Sequence, residues 1–167
     1  MLKMAITLSI QFILMLKSMV DKLILTIYSK IDFYPEAIRI KSDIENLGYL
    51  CFLPFEEGYN SLLVGKNGDI DYKLLSKMKN KNNYLKKEFE YINSSHAILL
   101  LNYSWNNIDG YIGSNMFLQI GIAYILKKKI FILNTLNDSQ IGLKNEIMLM
   151  NPIVLKGNVN KIKNYLF

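Results

Sequence analysis

Apolar positions fall along the chain in blocks of two kinds. Short runs rich in β-branched and aromatic residues occur at Lys22 to Tyr28, Tyr49 to Pro54, Ala97 to Tyr103, Lys129 to Asn134 and Ile153 to Leu155. Runs of that length without polar alternation predict strands buried on both faces. Between them, apolar residues recur at helical spacing. After Tyr34 they are Ala37, Ile38, Ile40, Ile44 and Leu47, and Gly48 supplies the expected stop. Tyr72 to Asn93 reads as helical with a break near Asn80 to Asn83, where asparagines cluster. Further helices are predicted over Asn115 to Leu126, Leu143 to Met150 and Val159 to Tyr165. Phe55 to Asp71 and Ser104 to Ser114 read as loops long enough to serve a function.

Five short apolar strands alternating with helices imply an α/β domain whose parallel sheet is covered on both faces. Right-handed crossovers then favour a three-layer, flavodoxin-like arrangement with strand order 2-1-3-4-5. In such sheets ligands bind beyond the carboxyl ends of the strands, near the point where strand order reverses. The loops after strands one, three and four are therefore the candidate site, although the fold by itself dictates no chemistry.

The first twenty residues stand apart from this pattern. Met4 to Leu16 is apolar between Lys3 and Lys17, too short for a transmembrane helix of about 20 residues. No small-x-small cleavage site follows it, and Met19 begins a segment that runs into the first strand. Residues 1–20 are expected to be a non-essential apolar extension and residues 21–167 the domain, in the cytoplasm. A helix covering the domain and a membrane-interacting helix are the alternatives.

Composition removes several classes of function. The net charge of +6 comes almost wholly from lysine, because Arg39 is the only arginine. Bidentate contacts to phosphates and bases favour arginine, so nucleic-acid binding is not expected. The lysine run Lys73, Lys77, Lys79, Lys81, Lys86 and Lys87 reads as a solvated helical face. Cys51 is the only cysteine and lies in an apolar run, which predicts a buried structural thiol. His96 is the only histidine, so neither a multi-histidine metal site nor a serine-histidine-aspartate triad is expected. Chemistry is left to carboxylates, amides, hydroxyls and backbone groups, with no metal or organic cofactor implied.

The loop after the third strand holds Gly110-Tyr111-Ile112-Gly113-Ser114-Asn115, and a helix follows with Gln119 about one turn in. Two nearby glycines allow close backbone approach. Ser114 or Asn115 is expected to cap the helix, leaving N–H groups aimed at the crevice. Any strand-loop-helix junction shares part of this pattern.

Four ordered blocks make it more specific. They are Ala97-Ile98-Leu99-Leu100-Leu101-Asn102-Tyr103, then Phe117-Leu118-Gln119-Ile120-Gly121-Ile122-Ala123-Tyr124, then Lys129-Ile130-Phe131-Ile132-Leu133-Asn134, and finally Asn145 to Gly157, which contains Glu146-Ile147 and Met150-Asn151-Pro152-Ile153-Val154-Leu155. Together they resemble the C-terminal half of the nucleoside 2-deoxyribosyltransferase-like family, with looser agreement upstream to about residue 20. The resemblance implies a pocket for a nucleoside or nucleotide, processing of its N-glycosidic bond by deoxyribosyl transfer or hydrolysis, and a homo-oligomer.

Family members place a nucleophilic glutamate where this chain has Gln119. A carboxylate can form and release a glycosyl ester; a neutral amide is a far weaker nucleophile. His96 stands where the family has aspartate, and Gly113 and Ser114 occupy the stretch where many relatives carry another acid. The same fold without that glutamate also suits a non-catalytic nucleoside-binding protein, a sensor or sequestering pseudoenzyme. Gln119 is thus the position of interest, and Asp109, the nearest upstream acid, is either a substitute base or a solvated turn residue. Tyr28, Ser29, Gly110, Gly113, Ser114, Asn115 and Glu146 are the candidate substrate-binding residues. Each has an ordinary role as its alternative: strand-end packing for Tyr28 and Ser29, helix capping for Ser114 and Asn115, a surface helix position for Glu146. Trp105 and Tyr111 are candidates to stack on a base or to form an interface.

Overall fold

The computed structural model describes residues 22–54, 77 and 84–166. The predicted apolar extension, the whole Phe55 to Asp71 loop and, apart from residue 77, the first half of the Tyr72 to Asn93 helix lie outside the described residues. The chain runs through β1 (Ile24–Ser29), α1 (Tyr34–Asn46), β2 (Leu50–Phe52), α2 (Tyr84–Ser94), β3 (Ala97–Leu101), α3 (Ser114–Ile125), β4 (Lys129–Ile132), α4 (Ile141–Leu149) and β5 (Ile153–Val154). It closes with 3-10 turns over Val159–Asn164, where an α-helix was predicted. Asn158 caps the first of these turns, its side chain accepting from the Asn160 N–H at 3.0 Å.

All five strands pair in parallel, in the order β2-β1-β3-β4-β5. Leu25 lies opposite Ala97 and Ser29 opposite Leu101, so β1 and β3 form the longest ladder at the centre. The order reverses between them, as the strand pattern implies. Successive side chains point to opposite faces and divide the apolar runs between two cores. Leu25, Ile27, Leu99, Leu101 and Phe131 pack under α1 and the closing turns. Tyr28, Ile98, Leu100, Ile130 and Ile132 pack under Ile92 of α2, Met116, Ile120 and Ala123 of α3, and Ile147 of α4.

His96 sits at the amino edge of the sheet, opposite the candidate crevice. Its Nδ1 accepts from the Ile24 N–H at 3.0 Å, which ties the start of β1 to the start of β3. Cys51 is buried, as its setting predicts, and burial chiefly pushes its thiol up to about 12.

Candidate functional site

Helix α3 buries Met116, Gln119, Ile120 and Ala123, a single stripe facing the sheet. Gln119 is the polar member of that stripe and is only 5% exposed. Its Nε2 donates to Glu88 Oε2 of α2 at 2.7 Å. Glu88 is itself 3% exposed, and the Tyr28 hydroxyl at the end of β1 donates to its backbone carbonyl at 3.4 Å. Three elements thus bring an amide, a carboxylate and a phenol together beneath the carboxyl half of the sheet. The remaining Gln119 amide oxygen, Oε1, is buried with no hydrogen-bond partner among the described residues. Such a group is costly to leave unpaired and is a natural acceptor for an incoming donor.

Deeper along the same face, Thr26 Oγ1 and Ser95 Oγ lie 2.6 Å apart, and Ser95 Oγ donates to the Tyr91 carbonyl at 2.8 Å. This second polar contact joins β1 to the end of α2. It leaves α2 oriented with Glu88 and Ile92 inward while Leu85 and Phe89 face outward, 60% and 46% exposed.

The loop after β3 is fixed from behind. Asn102 is fully buried at the strand's end. Its Oδ1 accepts from the Asn134 N–H at 2.7 Å, and its Nδ2 donates to the carbonyls of Asn134 at 3.0 Å and Gly110 at 3.2 Å. Gln140 clamps Ile112 in both directions, accepting from its N–H at 3.1 Å and donating to its carbonyl at 2.9 Å. The loop's tip is a tight hairpin between Trp105 and Ile108, with Asn106 and Asn107 at φ 49° and 61°, angles that asparagine tolerates better than most residues.

On the α1 side of the crevice, Phe33 meets Tyr103 and Trp105 with ring centroids 5.2 and 6.2 Å apart. The Lys30 ammonium lies 3.5 Å from the centre of the Trp105 ring and also pairs with Asp32. Burial pushes the Tyr103 hydroxyl above its usual range, and the Glu36 charge adds to this against Arg39.

The candidate residues are distributed unevenly around this geometry. Tyr28 and Gln119 meet at Glu88, whereas Ser29, the last residue of β1, points to the opposite face of the sheet from Tyr28. Gly110 has φ +64° and backs onto the Thr135 carbonyl. Gly113 is the N-cap residue of α3, and neither Ser114 nor Asn115 makes the expected cap, since the helix starts one residue earlier without a side-chain cap bond. Both are exposed, and Ser114 lines a groove on the outer side of α3. Asp109 is exposed and its carboxylate accepts from Ser104 Oγ. Glu146 is exposed on α4. Glu88 escaped sequence reasoning because Leu85, Phe89 and Ile92 look like the buried stripe of α2; the available signal was the polar pair Thr26 and Ser95, which sets the helix's rotation.

Among the described residues, no group of three or more His, Cys, Asp and Glu side chains is placed to hold a metal ion. No helix there is long and apolar enough to cross a membrane.

No protein-family model matches the chain, and no curated protein is significantly similar to it. Similarity appears at the level of structure. A conserved protein from Enterococcus faecalis V583 superposes with a TM-score of 0.52 at 14% identity, over 87% of this chain and 97% of the other. A 2-deoxyribosyltransferase from the psychrotolerant bacterium Bacillus psychrosaccharolyticus superposes with a TM-score of 0.52 at 14% identity, over 85% and 91%. The resemblance drawn from four sequence blocks therefore has its counterpart in space: the chain shares its fold with a solved 2-deoxyribosyltransferase.

Proposed function

We propose that this protein acts on the N-glycosidic bond of a 2′-deoxynucleoside or its nucleotide, by transfer or hydrolysis, and that Glu88 supplies the carboxylate. The observation carrying this reading is the buried Glu88–Gln119 pair, 2.7 Å across, under the Tyr28 hydroxyl-bearing end of β1. An amide at position 119 cannot serve as the nucleophile, but its N–H donates to a carboxylate from the neighbouring helix. In the proposed reaction a Glu88 oxygen bonds to the anomeric carbon as the C1′–N bond breaks. The bonding pair leaves with the base, which takes up a proton. Water or an acceptor base then releases the sugar from the ester. Gln119 positions Glu88 and offers Oε1 to a hydroxyl or N–H of the ligand.

In this reading Tyr28, Ser29, Gly110, Gly113, Ser114, Asn115 and Glu146 are the groups around the ligand, and Asp109 is an auxiliary base. The uncapped first turn of α3 has N–H groups suited to a 5′-phosphate. We also propose a homo-oligomer, on the strength of the family resemblance, acting in the cytoplasm. A second reading, a nucleoside-binding protein without catalysis, is favoured by the near-complete burial of Glu88 and by the amide at 119.

Chromatographic detection of free base separates the two. The natural chain, Glu88→Gln and Gln119→Glu are incubated with a panel of 2′-deoxynucleosides and their 5′-monophosphates. Base release by the natural chain that disappears in Glu88→Gln supports the first reading. Release by Gln119→Glu alone, with ligand binding by the natural chain, supports the second. No release and no binding by any of the three would remove both.

A further inference from the structure

The two helical layers meet water differently. Over its thirteen residues α1 carries five charged side chains, Glu36, Arg39, Lys41, Asp43 and Glu45, and leaves one large hydrophobic side chain exposed, Ile38. Over its twelve residues α3 carries no charge at all. Together with α2 and α4 it holds eight of the ten large hydrophobic side chains exposed among the described residues. A helix that is apolar all round is suited to burial all round. The sheet covers the face of α3 that carries Gln119. The opposite face presents Ser114, Leu118, Gly121 and Ile125, which share one stripe at helical spacing. With Phe89 of α2 and Ile122 they line a groove whose wall is almost wholly apolar. Leu118 and Ile125 are 45% and 76% exposed there, a contiguous patch of the kind that marks an interaction surface.

We infer that a second copy of this chain docks on that face, α3 against α3, antiparallel about a twofold axis beside Gly121. Three observations favour a copy of the chain as the occupant. First, the stripe is its own complement. Leu118 lies three positions before Gly121 and Ile125 three after Ile122, so reversing the helix about the point between Gly121 and Ile122 exchanges the two. Leu118 of each copy then meets Ile125 of the other, as an isologous contact requires. Second, the crossing point is open. A Cβ at Gly121 would meet nothing within 4 Å, and the missing side chain lets two helices approach closely where they cross.

Third, the area fits. Leu85, Phe89, Leu118, Tyr124 and Ile125 are each 45–76% exposed. At about 200 Å² for a large side chain, they leave roughly 550 Å² of mainly apolar surface uncovered. A standard interface takes about 800 Å² from each partner, and about 65% of it is apolar in homodimers, which is roughly 520 Å². Charge then fixes the direction. Lys127 and Lys128 follow α3; an antiparallel pair sets them at opposite ends, whereas a parallel pair would bring like charges together. The inference gives the proposed homo-oligomer a face. It does not depend on the glycosidic reading, because the side chains of Glu88 and Gln119 lie on the sheet side of their helices.

Sedimentation equilibrium of the full chain across the micromolar range tests this. The natural chain is expected at twice the chain mass or a multiple of it. Leu118→Lys and Ile125→Lys, with folding checked by circular dichroism, should each raise the dissociation constant at least about tenfold. Mild oxidation supplies a geometric readout, since Cys51 is buried and does not compete. Gly121→Cys should give a disulfide-linked dimer, whereas Ile38→Cys, on the opposite layer, should not. A monomeric natural chain would overturn the inference, and so would an assembly that both lysine variants leave unchanged. Linking of Gly121→Cys no greater than that of Ile38→Cys would remove the twofold axis beside Gly121 and the inference with it.

Discussion

Gly110 offers the sharpest test of how the loop after β3 is built. Its φ of +64° is one that an L-residue adopts at a cost of about 1–2 kcal/mol. A Cβ there would lie 2.0 Å from the Thr135 carbonyl oxygen and 3.2 Å from Asn102 Nδ2. The first contact is more than 1 Å too short, so the Thr135 carbonyl must shift. It adjoins Asn134, whose backbone N–H and carbonyl are both bonded to Asn102. Loosening one or two of those bonds costs about 1 kcal/mol each. Gly110→Ala is therefore expected to destabilise the fold by about 2–4 kcal/mol. For a domain of this size that corresponds to a fall of roughly 4–16 °C in Tm. Urea unfolding followed by circular dichroism measures it, and Gly110→Asn separates the two causes. Asparagine tolerates positive φ but carries the same Cβ, so it should recover little. A loss below about 1 kcal/mol in the alanine variant would refute the clash. Full recovery in the asparagine variant would assign the cost to the dihedral angle alone.

Gly142 is the contrasting case, because a Cβ there meets nothing within 4 Å and the residue lies inside α4. Gly142→Ala should raise stability by a few tenths to about 1 kcal/mol, and a loss would show an unrecognised contact. Thr26→Val should cost about 1 kcal/mol, because Ser95 keeps its bond to the Tyr91 carbonyl. Adding Ser95→Ala should then cost less than it does alone, whereas strict additivity in unfolding experiments would argue against a coupled pair. Cys51 bears on alkaline stability. Burial, then the Glu45 charge, lifts its thiol from 9.0 to about 12, against the opposing Lys41. The unfolded chain loses that proton first, so the stabilisation is present below pH 9 and is lost as pH rises towards 12, by at most about 1.4 kcal/mol per pH unit. The natural chain should lose more stability across that window than Cys51→Ala does; parallel losses would sink the assignment.

The sheet was largely readable in advance because buried parallel strands leave continuous apolar runs, and α/β connections restrict their order. The runs overstate the strands at both edges. Tyr49 to Pro54 yields only Leu50–Phe52, and Ile153 to Leu155 only Ile153–Val154, since an edge strand pairs along one side and frays where its neighbour ends. The cap of α3 was misplaced because serine and asparagine next to a glycine look like capping residues, whereas Gly113 takes the position itself. Glu88 was hidden for a different reason. The outward Leu85 and Phe89 give α2 an apolar stripe that competes with the buried one, and only tertiary contacts from Thr26 and Tyr28 decide between them. Gln119 was visible through the blocks around it, but its partner was not, because Glu88 lies 31 positions earlier in a segment with no local pattern to mark it.

The brevity of the outer strands bears on how copies of this chain meet one another at high concentration. β2 contributes three residues and β5 two, so the unpaired peptide groups along either margin form a very short template. Fibril-like growth requires backbone ladders to extend from chain to chain, and long exposed edges promote it. Among the described residues this sheet presents little of that kind, so backbone pairing between copies at its margins has only a few peptide groups to start from.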